Sequence, residues 1–504
     1  MPTPATRSLR DVPSLLGPIG DRGSWLVVAI AAVAIGVVVG AVRSTGFYWH
    51  DDYQHLIISR LALQDPRWLL HVWGRPLMTL AYIPASVAGE WLARATSLGF
   101  LFSTAALCAL IARRRGAPLP LAAALFLMAQ PLAARLGYSA LPGTVFSFVL
   151  ASAFWLRSVQ RPAAAAWVAS LLPLARVEGV VVVAVWALFM IKERAFRNCL
   201  LLAAGTVAWA LAAALVSGDA LWLWHHNPYG LLGSAYPAAG WGYLFVALPL
   251  AVGPVIAGLA LISFVRSSSL DPLVGLSGIA LAAFYAFAWG MPAFQSFRNP
   301  VYLVSISVPI ALAAHACLVE ALTLRTDVRR WGAVVAGAAA VASIVLGGAA
   351  SVVGLALALT VIVALIQQRV RPMSRVSGGL TKLLCVGAVA AALWMTRPLA
   401  LDPIASLSRA AATELGEKRA SVVFWGDPAF GWFAGRLPDA QWGQPPPLSW
   451  GDLSSVRPGG LVVWDSQFGP NELATTEDDL RRRGFRPVWR ATEKWARVSV
   501  WARD

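Results

Sequence analysis

The chain has 504 residues, of which 58% are hydrophobic and 13% are charged. Soluble domains contain about a quarter charged residues, so this composition excludes a soluble globular protein. It predicts a polytopic membrane protein, because many apolar runs approach the ~20 residues that cross a bilayer. The net charge of +16 does not indicate nucleic-acid binding, since the basic residues cluster in short loops between apolar runs, as in the cytoplasmic loops of membrane proteins.

The first apolar run, residues 24–42, follows several arginines and is predicted to be a retained signal anchor. It is long for the core of a signal peptide, and no small-residue cleavage site follows it. With a cytoplasmic N-terminus, this helix ends on the outer side of the membrane. Residues 43–92 are therefore expected to form the first outer loop.

This loop opens with the stretch FYWHDDYQH, residues 47–55, in which aromatic side chains flank Asp51 and Asp52. Trp and Tyr anchor a chain at the membrane interface. Residues 56–70 predict an amphipathic stretch, and residues 76–88 a short interfacial helix. A loop held in this way can present a carboxylate to a membrane-bound substrate, with one aspartate as general base and the other as its helper. The alternative is a solvated loop.

Charge patterning predicts about thirteen transmembrane helices within residues 1–396. This arrangement keeps basic clusters, such as the arginine triplet at 113–115, on the cytoplasmic side. After the signal anchor, the predicted spans are 93–112, 118–134, 142–156, a hairpin of short helices at 163–175 and 179–191, then 199–216, 241–265, 272–290, 299–318, 331–348, 351–366 and 380–396. An odd number of crossings places the remaining residues outside.

Residues 397–504 differ in composition and are predicted to form a small extracytoplasmic α/β domain. Apolar runs at 421–425, 460–464 and 496–501 lie between turn signals and predict strands. Thr476 precedes an acidic run and predicts the N-cap of a helix that ends at Arg483. The predicted fold is thus an all-α membrane domain, with interfacial helices in its first outer loop, followed by this second domain.

Several other polar residues are candidates for binding phosphate or sugar. Arg176 and Glu178 lie between two half-length apolar runs, where an arginine can face a phosphate or the two can close the hairpin as a salt bridge. Arg75 and Arg298 are further candidates for an anion, or ordinary interface arginines. His225 and His226 lie in an outer loop rich in groups that bind sugars. They do not indicate a metal site, because adjacent side chains seldom ligate one ion.

The layout and two short motifs resemble the GT-C superfamily of membrane glycosyltransferases, which use polyprenyl-phosphate sugars. The stretch from His50 to Gln54, HDDYQ, is similar to the H-P-D-E-x-x-Q loop of the mannosyltransferase branch. Residues 174–179, LARVEG, are similar to a T-R-P-E-G segment of bacterial members. Here no proline precedes Asp51, and Asp52 replaces the usual glutamate. The overall layout also resembles protein O-mannosyltransferases and aminoarabinose transferases.

This resemblance implies a sugar transfer with inversion from a polyprenyl-phosphate donor to an extracytoplasmic lipid, glycan or protein. Asp51 would be the general base and Asp52 would orient the acceptor, while Arg176 or Arg298 would stabilise the leaving phosphate. The sequence indicates no required cofactor, and the alternative is a divalent cation bound by Asp51 and Asp52.

Two other functions remain open: a transporter or flippase for a lipid-linked glycan, and a non-catalytic assembly protein. A transporter should show paired halves with matching broken helices, and the sequence has no such internal symmetry. The arginine-rich, alanine-rich composition favours a bacterial cytoplasmic membrane.

Overall fold

The computed structural model describes residues 21–219, 221–225, 240, 242–267, 269–290, 300–322, 397–438, 452–471 and 473–504. Within these residues the chain is mostly helical. The helices before residue 323 are α1 (Asp21–Arg43), α2 (His50–Gln64), α3 (Pro76–Ala88), α4 (Glu90–Arg114), α5 (Leu121–Met128), α6 (Pro131–Leu136), α7 (Gly143–Ser158), α8 (Pro162–Ala169), α9 (Leu172–Ala175), α10 (Gly179–Lys192), α11 (Phe196–Ser217), α12 (Trp222–His225), α13 (Tyr243–Val252), α14 (Pro254–Arg266), α15 (Pro272–Gly290) and α16 (Ser307–Leu322). Two 3₁₀ segments, Pro66–Leu70 and Pro300–Ile306, complete this part.

Among the described residues, five helical segments are long and apolar enough to cross a membrane. They are Leu26–Arg43, Glu90–Arg114, Phe196–Ser217, Pro272–Gly290 and Pro300–Glu320. A sixth would result if the bent pair of α13 and α14 counts as one span. The structure therefore confirms a helical, multi-pass membrane architecture but not the number of thirteen crossings. The predicted spans between 331 and 396 lie outside the described residues.

Two predicted spans are broken in the structure. Residues 118–134 contain α5 and then α6, because Gln130 is extended and Pro131, which lacks a backbone N–H, starts a new helix. In the predicted span 241–265, α13 and α14 meet at 112°. The break is at Gly253, whose φ of 85° is accessible to glycine, and Pro254 begins α14. By contrast, the predicted hairpin of short helices is present as α8 to α10.

The C-terminal part contains a four-stranded sheet covered by short helices. The helices are α17 (Pro403–Leu415), α18 (Pro428–Ala434), α19 (Phe468–Asn471) and α20 (Glu477–Arg482). The strands are β1 (Val422–Trp425), β2 (Leu461–Asp465), β3 (Phe485–Glu493) and β4 (Ala496–Arg503), in the order β1-β2-β4-β3. Strands β1 and β2 are parallel, and the other pairs are antiparallel.

The three strands predicted from apolar runs are found, and so is the helix capped by Thr476, whose hydroxyl accepts a hydrogen bond from the Asp479 backbone N–H at 3.2 Å. Strand β3 was not predicted. It is an edge strand, most of its side chains are at least partly exposed, and it contains Pro487, so its sequence lacks an apolar run. The domain boundary at 396/397 stays a prediction.

The segment that follows α1 is joined to the start of the C-terminal part. The backbone N–H groups of Thr45 and Gly46 donate to the carbonyl of Leu399 at 2.9 and 3.1 Å. The Ser44 hydroxyl accepts from the Leu399 N–H at 2.8 Å. These bonds fix the chain just before the segment that leads into α2, the helix on which the candidate site is built.

Candidate active site

The stretch with the paired aspartates is the first turn of α2, not a loop. Trp49 is extended, and its N–H donates to Asp52 Oδ2 at 2.9 Å, which is half of a capping box. Acidic side chains in a first turn also interact favourably with the helix dipole. The prediction of a loop was wrong because HDDYQ lacks the apolar periodicity that marks a helix, whereas its capping pattern supports one.

Asp52 is fully buried and serves the structure of this turn. Besides the Trp49 bond, its Oδ1 accepts a hydrogen bond from the Ser139 hydroxyl at 2.5 Å, and the Tyr48 N–H donates to the same hydroxyl at 3.0 Å. Burial raises the pKa of Asp52 to about 7, although the bonds from Ser139 and Trp49 oppose this shift. Both Asp52 oxygens are thus occupied by the protein itself.

Asp51 is half-buried and lines a pocket. Burial raises the pKa of its carboxyl to about 6, and the charge of the neighbouring His50 acts against this shift. The pocket also contains His55, Trp73, Arg75, Leu141, Pro142, Ala175, Arg176, Val301 and Tyr302. The pocket is therefore formed by residues of α2, of the loop before α3, of the α9–α10 connection and of the second 3₁₀ segment.

Arg176 is held in the pocket by a buried network. Its guanidinium bonds to the Glu178 carboxylate and lies 4.8 Å from the centre of the Tyr302 ring. Glu178 Oε1 also accepts hydrogen bonds from the hydroxyls of Tyr285 at 2.7 Å and Ser305 at 2.8 Å. Arg176 therefore forms the predicted salt bridge with Glu178 and also lines the pocket, so the salt bridge does not exclude the predicted contact with a phosphate.

Arg75 supplies a second buried cation. It is 5% exposed, and its guanidinium lies 5.8 Å from the centre of the Trp209 ring. Its φ of 61° is rare for a residue other than glycine, and such strain clusters at functional sites. Burial, together with the charges of Arg176 and Arg75, lowers the pKa of His55 to about 3. His55 is accordingly neutral, and the cationic character of the pocket comes from the two arginines.

The remaining predicted site residues do not line this pocket or cannot be located. His225 lies at the end of α12, its side chain is 54% exposed, and it pairs with Asp219 at 2.9 Å. His226 and Arg298 lie outside the described residues. Among the described residues, no group of three or more His, Cys, Asp or Glu side chains could hold a metal ion. Both Asp52 oxygens already accept hydrogen bonds, from Ser139 and Trp49, and a cation shared by Asp51 and Asp52 stays a prediction.

Sequence reasoning missed His55, Trp73 and Tyr302. His55 had a usable signal, since a helix that starts at His50 places residues 51 and 55 on the same face. Tyr302 had none, because it reaches Arg176 across more than a hundred residues of chain. His50, which had no assigned role, lies against the C-terminal part instead of the pocket.

No family model and no curated protein matches this sequence. The fold, however, is similar to that of ArnT from Cupriavidus metallidurans. The structure of that protein bound to undecaprenyl phosphate matches with a TM-score of 0.60 and 14% identity, covering 95% of this chain and 98% of the other. Its apo structure matches with a TM-score of 0.59 and 15% identity, covering 96% and 98%. This chain thus has the fold of these ArnT structures, in agreement with the fold that the sequence resemblance implied.

Proposed function

We propose that this protein is a membrane glycosyltransferase that transfers a sugar from a polyprenyl-phosphate donor to an extracytoplasmic lipid, glycan or protein. The observation that carries the proposal is that Asp51, Arg75 and Arg176 line one pocket. A carboxylate beside two buried guanidinium groups combines a proton acceptor with a binding site for a phosphate. The fold neighbour that binds undecaprenyl phosphate supports a lipid-linked donor.

In the proposed reaction, Asp51 accepts the proton of an acceptor hydroxyl as its oxygen attacks the anomeric carbon of the donor. The bond between that carbon and the phosphate oxygen breaks, and the lipid phosphate leaves with the electron pair. Attack from the face opposite the leaving group inverts the anomeric centre. The raised pKa of Asp51, about 6, is suited to a general base near neutral pH.

Arg75 and Arg176 would stabilise the charge that develops on the leaving phosphate. Glu178 would keep Arg176 in place, because the buried carboxylate fixes the guanidinium through a salt bridge. Asp52 would hold the first turn of α2 instead of contacting the substrate. Contacts of His225, His226 and Arg298 with donor or acceptor stay predictions, as do the bacterial cytoplasmic membrane, the cytoplasmic N-terminus and the outer position of the C-terminal domain.

The experiment incubates the purified wild-type protein and the Asp51→Asn variant with a panel of polyprenyl-phosphate sugars and compares their thermal stability and turnover. A donor should raise the Tm of both proteins, whereas turnover should fall by about 10²- to 10⁴-fold in the variant, the usual contribution of a general base. Turnover at the wild-type rate in Asp51→Asn would overturn the assignment of the base. Transport in vesicles without sugar transfer would overturn the enzymatic function.

A further inference from the structure

His50 connects the turn that carries Asp51 with the C-terminal part of the chain. It is the first residue of α2 and is 2% exposed. Its Nδ1 lies 2.8 Å from Asp427 Oδ1, and its Nε2 lies 3.2 Å from Asp402 Oδ1. The ring also packs edge-on against Phe468 at 5.2 Å between centroids. Residue 50 and its carboxylate partner at 427 are 377 positions apart in the sequence, so this contact joins distant parts of the chain.

Both carboxylates are fixed at the N-termini of helices. Asp427 caps α18 by accepting from the Ala429 N–H at 3.0 Å, and its other oxygen accepts from the Ser408 hydroxyl at 2.6 Å. Asp402 caps α17 by accepting from the Ile404 N–H at 2.9 Å. These bonds orient the two carboxylates before any contact with His50, so they form a preorganised acceptor pair for an imidazolium.

The charge state of His50 follows from this setting. Burial disfavours the imidazolium, but Asp427 and Asp402 together outweigh burial and raise the pKa of His50 to about 10. Asp465 is a further carboxyl near Asp427 and His50, and the charge of Asp427 helps to raise its pKa. On its own helix, His50 is followed by Asp51, which lines the pocket together with Arg75, Arg176 and His55. The protonated His50 therefore lies between the acidic cluster and the proposed base.

Helices α2 and α18 also pack against each other beyond the His50 contact. Tyr53 packs against Phe433 of α18, with ring centroids 5.4 Å apart. About two turns further along α2, the Arg60 guanidinium lies 4.7 Å from the centre of the Trp432 ring. Helix α18 thus lies against α2, and its capped N-terminus meets the turn that carries the aspartates.

We propose that His50 is a positioning residue through which the C-terminal domain fixes the catalytic turn of α2. Asp427 and Asp402 hold the imidazolium, the imidazolium holds the start of α2, and Asp51 is thereby kept at the pocket with a positive charge beside it. This role gives the C-terminal domain a part in the reaction. The proposal rests on the proposed function of Asp51 as the base.

The first test measures kcat, the KM for the donor and the pH–rate profile for His50→Gln, Asp427→Asn and the double variant. We expect His50→Gln to lower kcat by about ten- to a hundredfold, the scale of a small misplacement of a reacting group, with little change in KM. Loss of the imidazolium should move the acid limb of the profile to higher pH, because the His50 charge lowers the pKa of Asp51. The double variant should be no slower than His50→Gln, since both changes break one contact.

A matched control separates this role from general stability of the domain. Arg436 donates to the carbonyls of Ala420 at 2.8 Å and Val422 at 3.1 Å within the C-terminal part. Arg436→Gln should lower the Tm without moving the acid limb. If His50→Gln does not insert, Asp402→Asn offers a milder change, because the Asp427 contact remains, and a smaller shift in the same direction is expected.

The outcomes distinguish the two proposals. Turnover at the wild-type rate in Asp51→Asn would overturn the assignment of Asp51 as the base, independently of the results for His50. An inactive Asp51→Asn, together with wild-type kcat and an unmoved acid limb in His50→Gln and Asp402→Asn, would overturn the positioning role alone. A shift of the limb in Arg436→Gln as large as that in His50→Gln would overturn it as well. Donor-dependent stabilisation of each variant serves as the check on its fold.

Discussion

Asp51 and His55 lie one helical turn apart on α2 and line the same pocket, yet their surroundings drive both towards the neutral form. Burial raises the pKa of Asp51 to about 6, whereas burial and the charges of Arg176 and Arg75 lower the pKa of His55 to about 3. Near neutral pH the pocket therefore contains an ionised aspartate, a neutral histidine and two arginines. This distribution of charge leads to the first prediction.

The rate of sugar transfer should depend on a single ionisation in the acid range. A base must be deprotonated to accept a proton, so kcat should rise with pH to a plateau above about pH 7, with a midpoint near 6 that reflects Asp51. His55→Asn should keep this midpoint even if the rate falls, because His55 is already neutral. A pH–rate profile of both proteins tests this, and a midpoint that disappears in His55→Asn would assign the ionisation to the histidine.

The carboxyl group of Asp465 should make the folded protein less stable at alkaline pH than at acidic pH. Its Oδ1 accepts from the N–H groups of Gln467 and Phe468, and its buried Oδ2 has no hydrogen-bond partner among the described residues. Burial raises its pKa to about 7, above the unfolded value near 4. The native state therefore holds the proton more tightly, and its stability falls as pH rises from about 4 to about 7.

Asp465→Asn should accordingly raise the free energy of unfolding at pH 8 by about 1–3 kcal/mol and change it little at pH 4, since one unit of pKa corresponds to about 1.4 kcal/mol. Thermal unfolding in detergent at the two pH values measures this difference. The neighbouring Asp452→Asn is a suitable comparison, because its exposed carboxylate caps a 3₁₀ turn and has a lowered pKa. An equal effect of Asp465→Asn at both pH values would show that the buried carboxyl does not titrate in this range.

Local sequence patterns predicted those features of the candidate site that depend on residues close together in the chain. The acidic pair among aromatic side chains marked Asp51, and two charges between apolar runs marked Arg176 and Glu178. In contrast, the contact between His50 and Asp427 joins distant parts of the chain and leaves no local pattern. The first turn of α2 was missed because capping by Asp52, and not apolar periodicity, starts that helix.

Gly46 should tolerate no side chain, because two backbones meet there. A Cβ atom at this position would lie 2.7 Å from Leu401 Cα and 2.8 Å from the Ala400 carbonyl oxygen, and backbone atoms cannot rotate away. Gly46→Ala should therefore destabilise the protein by about 1–3 kcal/mol, the usual cost of overpacking. The control is Gly99→Ala in α4, where a Cβ would meet no atom within 4 Å. It should leave the Tm unchanged or slightly raise it, and an equal loss in both variants would contradict the close approach at Gly46.

Arg75 should contribute to binding of the lipid-linked donor through its charge and its geometry. It is buried in the Asp51 pocket, where a guanidinium can form charge-assisted hydrogen bonds worth about 1.5–3 kcal/mol each. Arg75→Ala should raise the Kd of a polyprenyl-phosphate sugar by about ten- to a hundredfold. Arg75→Lys should retain part of the affinity, because a lysine keeps the charge but loses the planar fork.

Arg67 is the matched control for this prediction, because it lies in the same loop but its side chain is 55% exposed and paired with Asp65. Arg67→Ala should bind the donor as the wild type does. Titration of the donor against the Tm of each protein supplies the comparison. If Arg75→Ala and Arg67→Ala bind the donor equally well, the guanidinium of Arg75 does not contact the phosphate. Among the described residues that line the pocket, Arg176 would then remain as its cationic partner.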